Sequence, residues 1–214
     1  MFDCDGVVLN SNLTKIDAYF AVAKKMGGSD EQAQAFVDHH VAKGSFPRNG
    51  KIEYYLTEIV KQPVTKAILQ QYMQAFEDVL DVTLMQCEVA TGLGALKAAT
   101  PLAKWMLVSG GDQAELRRIF PRRIVGNNNL ASLFEAGIFG GPDKKDEVLA
   151  REIANGNLQF PALFVGDSKY DHQAASRARL DFVFLSAWTE VPDWHSYCTE
   201  HKITVLSNIA QLLA

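Results

Sequence analysis

Asp3 and Asp5 stand one residue apart where the apolar opening Met1-Phe2 meets Gly6, and their type and spacing are suited to chemistry. In an extended strand, residues i and i+2 face the same way, so the two carboxylates are expected to converge at the strand's C-terminal end. Open α/β sheets place their chemistry at that edge. Two acids so close are costly unless a cation neutralises them or they divide into a base and an acid. Three further elements follow in order, each at or after an expected strand. Val108-Ser109-Gly110-Gly111 offers a hydroxyl and two glycines whose backbone N–H groups can approach an oxyanion. Gly140-Gly141-Pro142-Asp143-Lys144-Lys145 is a turn delivering a lysine to the start of a helix. Val165-Gly166-Asp167-Ser168-Lys169-Tyr170-Asp171 ends a strand in more carboxylates. Together these groups suit phosphoryl transfer.

Two textures position them. From about Leu13 to Leu80 the pattern is helical, with Ile16, Tyr19, Phe20 and Ala23 on one face and Gly27-Gly28 as a stop. Ser29 and Gln32 form a capping box for a second helix through Phe36 and Val37. After the loop Gly44–Gly50, two more helices carry Tyr54, Tyr55, Leu56 and Ile59, then Ile68, Leu69, Tyr72, Met73 and Phe76. Beyond about Val89, short apolar strands are expected at Trp105–Val108, Ala162–Val165, Phe182–Leu185 and Ile203–Leu206. They alternate with helices near Leu93–Ala99, Gln113–Ile119, Asp146–Ile153 and His172–Arg179. This alternation argues an α/β fold, a doubly wound parallel sheet with helices on both faces. The expected core is residues 1–11 and 89–214, and residues 12–88 form a helical insertion. Only Met1 and Phe2 precede Asp3, where a strand of about five residues is usual. Either the numbering starts late or the neighbouring strands tolerate a stub.

Composition narrows the class. Of 214 residues, 48% are hydrophobic and 21% charged, as in ordinary globular proteins. The 21 basic and 25 acidic residues sum to −4, which gives no reason to expect nucleic acid or anionic lipid as a partner. No apolar run is long enough for a membrane helix, and a signal peptide is not expected ahead of a site that begins at residue 3. Cys4, Cys87 and Cys198 have neither disulfide nor metal rhythm, so a reducing, cytoplasmic setting is expected. Cys4 should point into the core. Trp188 and Trp194 could wall a pocket, with packing against the core the preferred reading, and His39 and His40 are expected at the surface or packed within the helical insertion. Nothing in the sequence chooses between monomer and homodimer.

The ordered set of Asp3-x-Asp5-Gly6, Ser109, Lys145 and Gly166-Asp167-x-x-x-Asp171 resembles the haloacid dehalogenase-like (HAD) superfamily. The insertion after the first motif looks like that superfamily's helical cap, and the chain as a whole resembles its phosphoglycolate phosphatase and β-phosphoglucomutase branch. The resemblance implies a Rossmann-like core and a small phosphorylated substrate. Asp3 would be the nucleophile forming an aspartyl-phosphate, and Asp5 the general acid and base. Mg²⁺ would sit between Asp3, Asp167 and the backbone carbonyl of Asp5, with Asp171 supporting it through water or orienting Lys145. Ser109 and the Gly110 N–H would hold phosphoryl oxygens, and Lys145 would offset the negative charge. The G-x-P-x-x-K spacing selects Lys145 over Lys144. An acid at position 5 favours phosphate esters over carbon–halogen or carbon–phosphorus bonds. Residues 43–48 look like the β-phosphoglucomutase-type specificity loop, which makes Arg48 the candidate for a second anionic or hydroxylated group. Hinges near Leu9–Asn12 and Cys87–Gly92 would let the cap exclude water.

Each element also has a plainer reading. Asp5-Gly6 can be a turn, Asp112 a helix N-cap after Ser109-Gly110-Gly111, Lys144-Lys145 a solvated helix start, and Asp167 and Asp171 helix caps. Those readings do not account for the order. The activity expected is a Mg²⁺-dependent phosphatase. A sugar phosphomutase on the same scaffold, or a non-catalytic binding protein that keeps the fold, are the alternatives.

Overall fold

The computed structural model describes residues 1–43 and 48–213. The chain divides into two units, Met1–Asn12 with Glu88–Ala214, and Leu13–Cys87. Helices are α1 (Asn12–Lys25), α2 (Asp30–Lys43), α3 (Arg48–Tyr54), α4 (Lys66–Gln86), α5 (Leu93–Ala99), α6 (Gln113–Ile119), α7 (Lys145–Ala154), α8 (Lys169–Arg177) and α9 (Trp194–Glu200). Strands are β1 (Leu107–Asp112), β2 (Ile124–Val125), β3 (Asn128–Asn129), β4 (Ile138–Gly141), β5 (Leu163–Gly166), β6 (Asp181–Leu185) and β7 (Thr204–Leu206).

Phe2 occupies the middle of the sheet. Its N–H donates to Met106 O at 2.9 Å and its carbonyl accepts from Val108 N–H at 2.9 Å. On the other side Asp3 N–H donates to Val165 O at 3.0 Å, and Met1 O accepts from Val165 N–H at 2.9 Å. The two-residue opening is thus bonded along both edges, and the all-parallel order runs β4, β1, Phe2, β5, β6, β7. Successive residues face opposite sides of a strand. Met106, Val108 and Phe164 pack on Val148 and Leu149 of α7 and on Ala174 and Ala175 of α8. On the opposite face the Phe2 ring meets Trp105 at 4.6 Å and Phe134 at 6.0 Å. Burying a Phe of this kind stabilises the fold by about 2 kcal/mol.

Two sequence expectations need correction here. The strand expected at Trp105–Val108 begins at Leu107 and runs on to Asp112, with its pairing to β4 irregular between Val108 and Asp112. Glycine makes that close approach possible, since a Cβ at Gly140 would overlap Gly111 O. The turn expected at Gly140-Gly141 is the end of β4, a four-residue strand half of which is glycine, a residue of little β propensity. The small antiparallel β2–β3 hairpin and α9 were likewise not anticipated.

The helical unit is built on rings. Tyr19 of α1 packs edge-on against Phe36 of α2 at 4.9 Å and Phe76 of α4 at 4.7 Å, and Phe36 stacks on Tyr55 at 4.2 Å. The buried face of α1 is Ala18, Tyr19, Val22 and Ala23, so it lies slightly to one side of the face expected from Ile16 and Phe20. Ser29 and Gln32 exchange the two bonds of a capping box ahead of α2, at 2.9 and 3.2 Å. Thr65 caps α4 by accepting from Ile68 N–H at 3.2 Å. Between α3 and Lys61 the chain widens into a π-helical segment, Tyr55–Val60. Among the described residues of this unit there is no strand.

Candidate active site

The strand ends at Asp3, because Cys4 O collects the N–H groups of Val8 and Leu9, both at 2.9 Å, in a tight turn. Gly6 makes that turn with φ +73°, and a Cβ there would overlap the Asp167 carboxylate. The alternation of an extended strand therefore does not run on to Asp5. Its carboxylate lies outside the tight cluster of Asp3, Asp167 and Asp171 and accepts from Ser11 Oγ at 2.5 Å. The turn still keeps it close enough to act electrostatically on Asp3. Cys4 is buried, as its place between the two acids implied. The expected hinge segments run side by side, with Asn10 N–H bonded to Glu88 O and Ala90 N–H to Val8 O, both at 2.9 Å.

Lys145, the first residue of α7, is 3% exposed, and its Nζ bonds Asp3 Oδ1 at 2.9 Å and Asp171 Oδ1. Lys144 is exposed, so the two adjacent lysines have separate environments. Asp171 sits in the first turn of α8 and has both oxygens engaged. Oδ2 accepts from Ser168 Oγ at 2.6 Å, Ser168 N–H at 3.1 Å and Asp167 N–H at 3.3 Å. Gly166 leaves room for it, since a Cβ there would overlap the Asp171 side chain. Asp3, Asp167 and Asp171 each present an oxygen within 4.8 Å of the others. All three are buried.

Charge in this cluster is unbalanced. Burial, then repulsion from Asp171, raises Asp3 to about 7, with Lys145 pulling the other way. Burial and the Asp171 and Asp3 charges raise Asp167 well above the ordinary carboxylate range. Burial would lower Lys145, but Asp171 and Asp3 together raise it. Three buried acids against one lysine are a donor set of hard oxygens that suits a divalent cation.

Ser109 on β1 is buried, and its Oγ accepts from Gly111 N–H at 2.9 Å, which leaves its own proton to donate. Gly110 is exposed, and Asp112 caps α6 by accepting from Glu115 N–H at 2.9 Å. Arg48 lies in the helical unit with its guanidinium 5.2 Å from the centre of the Phe76 ring. The rest of its expected loop, residues 44–47, falls outside the described residues. Trp194 stacks on Phe184 at 6.0 Å, whereas Trp188 is half-buried.

Several polar groups at the site carried no sequence signal strong enough to single out. Asn12 Nδ2 donates to Asp167 Oδ2 at 3.0 Å and to Trp188 O at 2.9 Å. Thr189 Oγ1 donates to Asp167 O at 2.5 Å. Burial, then the Asp5 charge, raises Glu190. Ser11 and Asn12, polar residues just before a helical run, carry an N-cap signature that could have marked them. Thr189 and Glu190 have no such signal, being brought in by the loop after β6.

No protein-family profile and no curated protein matches the sequence. Solved structures do match the fold. A HAD hydrolase of family IA, variant 3, from Entamoeba histolytica superposes with TM-score 0.71 at 14% identity, covering 96% of this chain and 91% of that one. A predicted phosphoglycolate phosphatase from Haemophilus somnus gives 0.65 at 18%, covering 99% and 94%. CbbY from Rhodobacter sphaeroides, in complex with phosphate, gives 0.65 at 17%, covering 99% and 94%. The chain therefore shares the fold of these proteins, a Rossmann-like core with an inserted helical unit.

Proposed function

We propose that this chain is a Mg²⁺-dependent phosphomonoesterase acting on a small phosphorylated metabolite. The observation that carries this reading is the buried set of Asp3, Lys145, Asp167 and Asp171, in which one lysine bridges two of three crowded carboxylates. Asp3 attacks phosphorus and forms an acyl phosphate as the ester P–O bond breaks. Asp5 gives its proton to the departing alkoxide oxygen. It then takes a proton from the water that attacks the same phosphorus, which releases phosphate and restores Asp3. Lys145, held by Asp171, steadies Asp3 and the transferring group, and the Ser109 hydroxyl and Gly110 N–H donate to phosphoryl oxygens. Asp171 is better suited to orienting Lys145 than to binding metal, because both its oxygens have partners. Mg²⁺ held by Asp3, Asp167 and the Asp5 carbonyl would polarise the phosphoryl oxygens and offset their charge. A reducing, cytoplasmic setting accords with three free cysteines.

Phosphate release from a panel of phosphorylated metabolites, with Mg²⁺ and with chelator, tests the reading. Mg²⁺-dependent release that disappears in a folded Asp3→Asn variant is expected. Release that is unchanged in Asp3→Asn would overturn the nucleophile. Interconversion of sugar phosphates without release would assign a mutase, and no turnover of any kind would leave a binding protein.

A further inference from the structure

Few carboxylate oxygens of the buried acid set remain open. Asp171 has both engaged, Oδ1 by Lys145 and Oδ2 by Ser168 and the Asp167 N–H. Asp3 Oδ1 accepts from Cys4 N–H at 2.7 Å and from Lys145 Nζ at 2.9 Å. Asp167 Oδ2 accepts from Asn12 Nδ2 at 3.0 Å. Among the described residues, the oxygens that no donor reaches are Asp3 Oδ2 and Asp167 Oδ1. Each of the two side chains read as cation ligands therefore keeps one oxygen open.

Asn12 is built into this arrangement from two sides. Its Nδ2 also donates to Trp188 O at 2.9 Å, so both amide protons are used. Trp188 O can only accept, which puts the amide nitrogen, and not its oxygen, against Asp167. Aspartate in this place offers no donor and serine only one, so the residue type fits a task with two acceptors. The glycine turn closes in on the same atoms, since a Cβ at Gly6 would stand 2.0 Å from Asp167 Oδ2 and 2.7 Å from Asn12 Nδ2. Thr189 holds the Asp167 backbone separately, its Oγ1 donating to Asp167 O at 2.5 Å and accepting from Val191 N–H at 3.2 Å. Asn12, Asp167 and Thr189 all belong to the unit made of Met1–Asn12 and Glu88–Ala214.

We propose that Asn12 is a positioning residue that keeps Asp167 a monodentate ligand and so tunes the site toward Mg²⁺ and against Ca²⁺. The proposal rests on the reading of Asp3 and Asp167 as cation ligands. Ca²⁺ takes more oxygens than Mg²⁺, often both from one carboxylate, whereas Mg²⁺ demands near-octahedral geometry and retains waters. The amide proton on Oδ2 occupies the oxygen that a bidentate contact needs. Loss of the amide frees that oxygen, and the larger ion gains a contact that Mg²⁺ has no use for. Ion preference, rather than strength alone, is therefore the signature.

The test uses chelator-treated, substrate-free full-length protein at pH 8 and follows free Mn²⁺ by its EPR signal as Mg²⁺ or Ca²⁺ displaces it. Mg²⁺ should displace Mn²⁺ from the wild type at lower concentration than Ca²⁺ does. In Asn12→Ala the ratio of the Ca²⁺ to the Mg²⁺ dissociation constant should fall by about tenfold. Thr189→Val, which loosens Asp167 without touching Oδ2, should weaken both ions and leave the ratio unchanged. Asn12→Ser, whose hydroxyl is too short for the span yet suits a helix start, should repeat the alanine result and serves if the alanine variant unfolds. A wild-type preference for Ca²⁺, or a ratio unchanged in both Asn12 variants, overturns the proposal while leaving the metal reading in place. Mn²⁺ binding undiminished in Asp167→Asn overturns both, so the two failures are told apart.

Discussion

Lys145 and Lys51 are both buried helix residues, 3% and 2% exposed, yet they are displaced in opposite directions. Lys145 faces Asp3 and Asp171, and their attraction outweighs the burial that would lower it. Lys51 faces an imidazole and is acted on by Lys15 and Arg48, so burial and like charge together bring it to about 7. Lys145 thus sits among buried acids, whereas Lys51 sits beside basic neighbours. Excess charge of one sign is retained at a cost, and a ligand of the opposite sign would relieve it.

Removing each lysine in turn puts the largest strain on this contrast. Lys145→Met strands Asp3 and Asp171 and should lower stability by about 3–5 kcal/mol at pH 8 in urea unfolding. Lys51→Met removes a buried charge that its surroundings disfavour, and should change stability by less than about 1 kcal/mol or raise it. Equal losses would erase the contrast.

Metal sharpens the acid side. Asp3 is raised to about 7 from an ordinary 3.8, so the folded protein holds a proton that the unfolded chain releases between those values. Stability from this group falls as pH rises through that window, and a cation restores it. Mg²⁺ at about a hundred times its dissociation constant should stabilise the wild type by about 2.7 kcal/mol at pH 8. The gain should be smaller at pH 5 and absent in Asp167→Asn.

The base side has the opposite sign. Lys51 is at about 7 folded against 10.5 unfolded, so between those values the unfolded chain binds the extra proton. Stability from this group therefore rises with pH across that window, and its cost is full below 7. Thermal unfolding of Lys51→Met should compare most favourably with the wild type near pH 6 and lose that advantage toward pH 10. A pH-independent difference would contradict the shift. The smallest effect is expected at Ser168→Ala, which removes the N-cap of α8 and one bond to Asp171, at about 1 kcal/mol.

The acid site was far more legible in the sequence than the basic neighbours of Lys51. Asp3, Lys145, Asp167 and Asp171 each follow a strand end at a fixed offset, and short spacings survive folding because strand and turn geometry are local. Asp5 shows the limit of that logic, since the i and i+2 relation stops where the Cys4 turn begins. The parallel sheet was readable from alternating apolar runs, and β4 was not, because Gly140-Gly141 serves close approach and not propensity. Lys15, His40 and Lys51 come from three helices with no shared spacing, so nothing local joins them before the rings of Tyr19, Phe36 and Phe76 pack.

The central claim is that Asp3 carries the phosphoryl group, and acid-quenching the enzyme during Mg²⁺-dependent turnover tests it most directly. Peptide mapping should find a hydroxylamine-labile phosphate on the peptide containing Asp3, and none in Asp3→Asn. Phosphate release with no covalent adduct, or an adduct that persists in Asp3→Asn, would contradict it.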